Sequence, residues 1–117
     1  MQFHEVRYEG AQPVDSYGPG FFRVAGEVIH GPVLVTAEAA SGWGGLEDIT
    51  PLTALKDQID VLFLGMGAEI AHPPAPLRDA LEEAGIGIEL MSSAAACRTY
   101  NVLIAEGRRI ALAALPV

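Results

Sequence analysis

Gly65, Met66, Gly67, Ser92, Ser93, Arg98 and Asn101 are the residues of this chain whose types and spacing suit chemistry on a small anion. Gly65-Met66-Gly67 follows the apolar run Val61-Leu62-Phe63-Leu64. Glycines there let the backbone approach a ligand. Ser92-Ser93 follows Ile88-Glu89-Leu90-Met91 and opens a predicted helix. The first N–H groups of a helix carry partial positive charge, which suits a carboxylate or phosphate. On that helix Ala94, Arg98, Asn101 and Ala105 fall on one stripe. Arg98 can grip a carboxylate with two bonds, and Asn101 can both donate and accept. The ordinary alternative is that the glycines make a tight turn and the serines cap the helix. The Arg98/Asn101 stripe could meet a ligand, a partner or a front loop, or be a solvated helix face with Arg98 paired to a nearby acid.

Other candidates are weaker, and no catalytic set is expected. Cys97 lies in the early turns of the same helix beside Arg98, and both features lower a thiol pKa. A nucleophilic cysteine also needs a base in reach. His4, His30 and His72 stand in no recognised spacing to it. The helical wheel puts Cys97 at the edge of the apolar arc, so a buried structural thiol is expected. No metal is expected, because Cys-x-x-Cys and His-Glu-x-x-His spacings are absent. No cofactor is expected either, since Walker, dinucleotide and nucleophile-elbow patterns are missing. Glu82 and Glu83 are adjacent on a helix and point in different directions. An ion pair from Glu106 to Arg108 or Arg109 is expected across Gly107.

The totals restrict the partners. The 117 residues carry a formal charge of −8 and are 50% apolar. One domain over 1–117 with a genuine core is expected. The acidic balance argues against nucleic acid, which demands clustered Lys and Arg. Charge is uneven, however: beyond Glu89 the only acid is Glu106, while Arg98, Arg108 and Arg109 all lie there. Such a local cationic patch suits one anionic partner or ligand. No apolar run reaches the roughly 18 residues that span a bilayer, so membrane insertion is not expected. The first residues lack the basic end and apolar stretch of a signal peptide, and the Arg-rich character of a mitochondrial presequence. With a single cysteine, a cytoplasmic location is the simplest expectation.

The elements that must position the candidate residues alternate regularly. Phe22-Arg23-Val24, Glu27-Val28-Ile29-His30 and Val33-Leu34-Val35-Thr36 are short apolar runs separated by turns, which predicts an antiparallel meander. Ser16-Tyr17-Gly18-Pro19-Gly20 and Ser41-Gly42-Trp43-Gly44-Gly45 are expected to be irregular loops. Trp43 is expected to close the core over the sheet. A short helix is predicted from Pro51 with Thr50 as its cap. The run from Val61 suits a strand covered on both faces. Leu77, Ala80, Leu81 and Ala84 sit at helical spacing, with Gly85 as the stop. Ile88 to Met91 is a strand, a helix then runs to about Glu106 with Gly107 behind it, and Arg109 to Leu115 is the last strand. The second half is thus β-α-β-α-β behind a β-rich front, an α/β fold with a mixed central sheet.

The pattern Tyr17-Gly18-Pro19-Gly20-Phe21, Gly31 before Val33-Leu34-Val35, Trp43, Gly65-Met66-Gly67 and the long run from Met91 to Arg109 resembles the Mth-type domain of unknown function. That family includes an adipogenesis-associated protein and a mitochondrial complex I assembly factor. The resemblance covers about Tyr17 to Leu115. It implies a compact three-layer α/β fold and no established enzymatic activity. The mitochondrial relatives it implies work by protein contact, and the presequence of such relatives is not expected here. Two functions are therefore expected. The first is a non-enzymatic, assembly-factor-like module with an unknown protein partner. The alternative is a small enzyme or binding protein with an anion pocket at the strand ends. Neither fixes an oligomeric state.

Overall fold

A computed structural model of the chain describes residues 5–117. Its strands are β1 (Glu5–Arg7), β2 (Val14–Gly18), β3 (Phe21–Val24), β4 (Glu27–His30), β5 (Val33–Val35), β6 (Ala39–Gly42), β7 (Val61–Gly65), β8 (Gly87–Met91) and β9 (Ile110–Ala114). Its helices are α1 (Thr50–Thr53), α2 (Ala75–Glu83) and α3 (Ser93–Ala105). Six strands form a mixed sheet in the order β1-β6-β5-β9-β7-β8, and β2-β3-β4 form a second, antiparallel sheet.

Side-chain alternation builds the layers. On β9, Ile110, Leu112 and Ala114 enter one core, while Ala111 and Ala113 enter the other. On β7, Leu62 and Leu64 face the second core and Phe63 the first. Successive residues of a strand point to opposite faces, so a run that is apolar at every position belongs in the middle. The first core lies beneath α3 and the small sheet and includes Phe22, Val24, Ile29, Cys97 and Tyr100. The second lies beneath α1 and α2 and includes Trp43, Leu52, Leu77 and Leu81. Three layers result, with the mixed sheet in the centre. Trp43 is 1% exposed, and its indole N–H donates to Asp48 O at 2.9 Å, so it does close the core.

The front of the chain departs from the expected meander. β3 and β4 pair as a hairpin, but β5 leaves them and pairs antiparallel with β6 and β9. The reason is burial. All of Val33, Leu34 and Val35 are covered, whereas Arg23, Glu27 and His30 are exposed. A strand apolar on both faces must sit inside the larger sheet, and one with a wet face can serve as a lid. The segment from Ser16 to Gly20 is not loop throughout: Ser16, Tyr17 and Gly18 pair with Arg23, Phe22 and Phe21. Pro19 and Gly20 make the turn, with Gly20 at φ +79°, as a Pro-Gly pair permits. Ser41 and Gly42 likewise belong to β6. Thr50 lies inside α1, where Ile49 holds the cap position without a side-chain bond.

Both long helices match their sequence signals. Leu77 and Leu81 of α2 are buried, and Gly85 follows it at φ +77°. Ser92 caps α3 by accepting from Ala95 N at 3.3 Å. At its other end Gly107 N donates to Ile104 O and Arg108 N to Leu103 O, a Schellman closure with Gly107 at φ +77°.

Candidate functional site

The crossover through α2 makes β8 parallel to β7, and β9 is parallel to β7 on its other side. Gly65 is level with both Met91 and Ala114. Three strands therefore end at one rim, and Gly65, Met66, Gly67, Ser92 and Ser93 gather there. Open α/β sheets bind ligands at such rims.

This rim is knitted together. Ser93 is 0% exposed. Its hydroxyl donates to Leu115 O at 2.5 Å and accepts from Gly67 N at 2.9 Å. Its backbone N–H donates to Gly67 O at 2.8 Å. Met66 N donates to Met91 O and Leu115 N to Gly65 O, both at 2.9 Å. A serine hydroxyl has one proton, and Ser93 gives it to Leu115. Gly65 owes its identity to this closeness: a Cβ there would stand 2.8 Å from Ser93 Oγ, 2.9 Å from Ser93 Cα and 3.0 Å from Ala114 Cβ. Met66 is half-buried against the second core.

Arg98 and Asn101 stand apart from the rim. Five residues along a helix turn the side chain by roughly 140° net, so Arg98 faces away from Ser93. It is exposed and forms no ion pair among the described residues. Asn101 faces the small sheet. Its Oδ1 accepts from Val14 N at 2.8 Å, and its Nδ2 donates to Val14 O at 3.0 Å. Val14 begins an irregularity in the β2–β3 ladder, where a strand loses regular partners. Asn101 supplies them, so this part of the stripe meets the chain's own front.

Cys97 is buried, and that burial pushes its thiol up to about 11 against a smaller opposing pull from Arg98. Tyr8 donates its hydroxyl to Thr36 O at 2.6 Å and is pushed up to about 12 by burial. Tyr100 is raised further, by burial and then by Tyr8, and its buried hydroxyl has no partner among the described residues. His30 and His72 are exposed, and His4 lies outside the described residues. Among the described residues no group of three His, Cys, Asp or Glu side chains is placed to hold a metal.

Two features escaped sequence reading. Arg109 does not pair with Glu106. It donates to Asp57 O at 2.6 Å and Gln58 O at 3.3 Å, and lies 4.0 Å from Asp60. With Arg108 it lines a cavity of about 390 Å³ at the opposite rim. The basic cluster near the C-terminus was a signal for it, but its partners lie some fifty positions away. The second feature is the outer edge of β8, flanked by cavities of about 340 and 180 Å³. Nothing in the sequence ranks β8 as an edge strand. Among the described residues no helix is long and apolar enough to cross a membrane.

The model of a family described as "protein of unknown function (DUF498/DUF598)" matches residues 14–115. An uncharacterized protein of Rhodobacter capsulatus is 52% identical over 117 residues, covering 100% of this chain and 94% of its own length. NADH dehydrogenase (ubiquinone) 1 alpha subcomplex assembly factor 3 of Danio rerio is 32% identical over 108 residues. That match takes in 86% of this chain but 62% of the zebrafish protein. Among solved structures, one titled an outer membrane protein from Bartonella henselae has a TM-score of 0.84 at 38% identity, covering 92% of this chain and 97% of that one. A Bordetella pertussis protein described as an Mth938-like domain has a TM-score of 0.75 at 25% identity, covering 99% and 92%.

Proposed function

The chain belongs to the DUF498/DUF598 family, the Mth-type domain family expected from its sequence, and from that premise we propose that it is a non-enzymatic protein-interaction module of the assembly-factor kind. The observation that carries this reading is the 32% identity to an assembly factor across 86% of the chain. Two features of the site support it. The polar groups that could have greeted a small substrate, Ser93 and Asn101, are bonded to the chain itself. The one thiol is held protonated near neutral pH by burial. The protein works in the cytoplasm on this reading, and its exposed Arg98 contributes to the contact surface.

The test is an affinity-tagged chain expressed in its own cells, captured after mild cross-linking. One defined complex should co-purify in fixed proportion, and Arg98→Glu should reduce that capture while the melting temperature holds. The same preparation discriminates the alternative of an anion site at Gly65–Gly67 and Ser92–Ser93. A ligand that binds only the folded form raises the melting temperature with concentration. A rise with small carboxylates or phosphorylated metabolites, together with no reproducible complex, would overturn the module reading.

A further inference from the structure

β8 ends the six-stranded sheet, and among the described residues β7 is its only ladder partner. The register decides which of its backbone groups look outward. Gly87 N donates to Asp60 O, and Met66 N donates to Met91 O. Bonded and non-bonded residues alternate along a parallel ladder. Gly87, Glu89 and Met91 therefore turn their N–H and C=O groups toward β7. Ile88 and Leu90 turn theirs to the open side, where none of these groups has a partner among the described residues.

The side chains beside this unmet ladder form a patterned surface. Ile88 and Leu90 lean, half-buried, onto the α2 side. The cavity of about 340 Å³ runs along them, with Pro73, Arg78 and Glu82 on its far wall. The hollow of about 180 Å³ continues it to Ile70, which is 65% exposed. Glu89 projects from the opposite face of β8 and is exposed.

A second copy of the chain fits this edge badly. The twofold pairing that satisfies Ile88 and Leu90 on both strands sets residue 88 against residue 90 of the other copy. Glu89 then lies directly opposite Glu89. Like charges at opposed positions destabilise a strand pair, and an inward or edge charge is a common guard against self-pairing. The same geometry favours a cation at that position. Arg78 is the only guanidinium lining the groove, and it is 3.6 Å from Asp79.

We infer that β8 is a docking edge for an extended segment of a partner protein, added as a seventh strand. Its pattern is apolar–basic–apolar: the apolar residues lie opposite Ile88 and Leu90 over the groove, and Lys or Arg lies opposite Glu89. Main-chain bonds supply affinity in such strand addition, and alternate side chains supply specificity. This inference rests on the interaction-module reading and names the chemistry of its partner.

The experiment titrates the isotope-labelled chain with two capped peptides, Thr-Val-Lys-Val-Thr and Thr-Val-Glu-Val-Thr, followed by NMR. The Lys peptide should shift the Ile88 and Leu90 amides and slow their hydrogen exchange. The Glu peptide should bind about fivefold more weakly, the size of one cross-strand charge pair. Glu89→Lys, at an exposed site, should reverse that order. Leu90→Pro deletes an outward N–H, which edge strands tolerate, together with the half-buried Leu90 side chain of the groove, and should abolish both responses while a melt confirms the fold. Equal binding of the two peptides, silence of the two amides, or a dimer of the unaltered chain seated on β8 at low salt would overturn the inference. The two readings fail separately. A complex still captured by the Leu90→Pro chain removes the edge and leaves the module. No complex captured by the unaltered chain removes the module.

Discussion

The strand-end rim and the β8 edge lie at two borders of the same sheet, and they dispose of their backbone groups in opposite ways. At the rim, Gly67, Leu115, Met66 and Met91 are bonded to one another or to Ser93. Along the edge, Ile88 and Leu90 have N–H and C=O groups with no partner among the described residues. The rim carries the residues that look functional in a sequence, glycines and serines at a helix start. The edge carries ordinary Ile, Glu and Leu. Polar groups withdrawn from water must find partners, so the glycines and Ser93 serve closure of the rim. A surface open to another molecule is one whose backbone groups remain unsatisfied, and among the described residues β8 has such groups.

The strongest way to break this contrast is Gly65→Val. Its Cβ would meet the Ser93 backbone at 2.9 Å, and backbone cannot swing aside. Overpacking of a fitted site costs about 3 kcal/mol at its upper range. Urea unfolding should show that loss with an unchanged slope. A neutral result would mean that the rim has room and that a ligand can enter it.

Ser93→Ala is the next largest. It removes the acceptor for Gly67 N and the donor for Leu115 O in a site with no exposure. Leaving buried groups unsatisfied costs about 2 kcal/mol. Asn101→Ala should cost roughly 1 kcal/mol, because its bonds to Val14 are only part-buried and water can replace them. If the Asn101 change exceeds the Ser93 change, the seam between α3 and the small sheet holds the molecule more firmly than the rim does.

These pairs also mark where sequence reading stops. The unbroken apolar runs at Val61 and Ile110 announce strands covered on both faces, and both long helices carry their stops, Gly85 and Gly107. The resemblance supplied the three layers. Pairing of distant segments has no local sign. Asn101 and Val14 are 87 positions apart, and β5 turns from its neighbour β4 to β9 because all three of its residues need cover. The Pro and Gly of Ser16 to Gly20 read as loop, yet only Pro19 and Gly20 make the turn while their neighbours pair. Strand order, which makes β8 an edge, is set by packing of the whole chain.

Alkaline pH probes the layer under the small sheet. Cys97 is raised from 9.0 to about 11 and Tyr8 from 10.0 to about 12, and Tyr100 is raised too. These groups are neutral when protonated, so the unfolded chain loses their protons first. Below pH 9 the two states bind equal numbers of protons at these sites, and this contribution to stability is complete. It is lost as pH rises from about 9 through 11 to 12. Thermal melts should therefore be level from pH 7 to 8.5 and fall beyond 9. Cys97→Ala should flatten the first part of that fall, and an unchanged curve would mean that the thiol is open to water.

The smallest expected effect is at the edge itself. Glu89→Gln removes a charge that is exposed and makes no ion pair among the described residues. A surface change of this kind stays within about 0.5 kcal/mol, several times less than the Ser93 change. Its consequence should appear in association instead. Without the opposed carboxylates, two β8 strands can pair through Ile88 and Leu90, so sedimentation should show a concentration-dependent dimer that added salt barely alters. In the unaltered chain, screening by salt should weaken the repulsion and raise any self-association. A stability loss as large as that of Ser93→Ala would show Glu89 to be a structural residue, and the edge would then be tied into the fold as firmly as the rim.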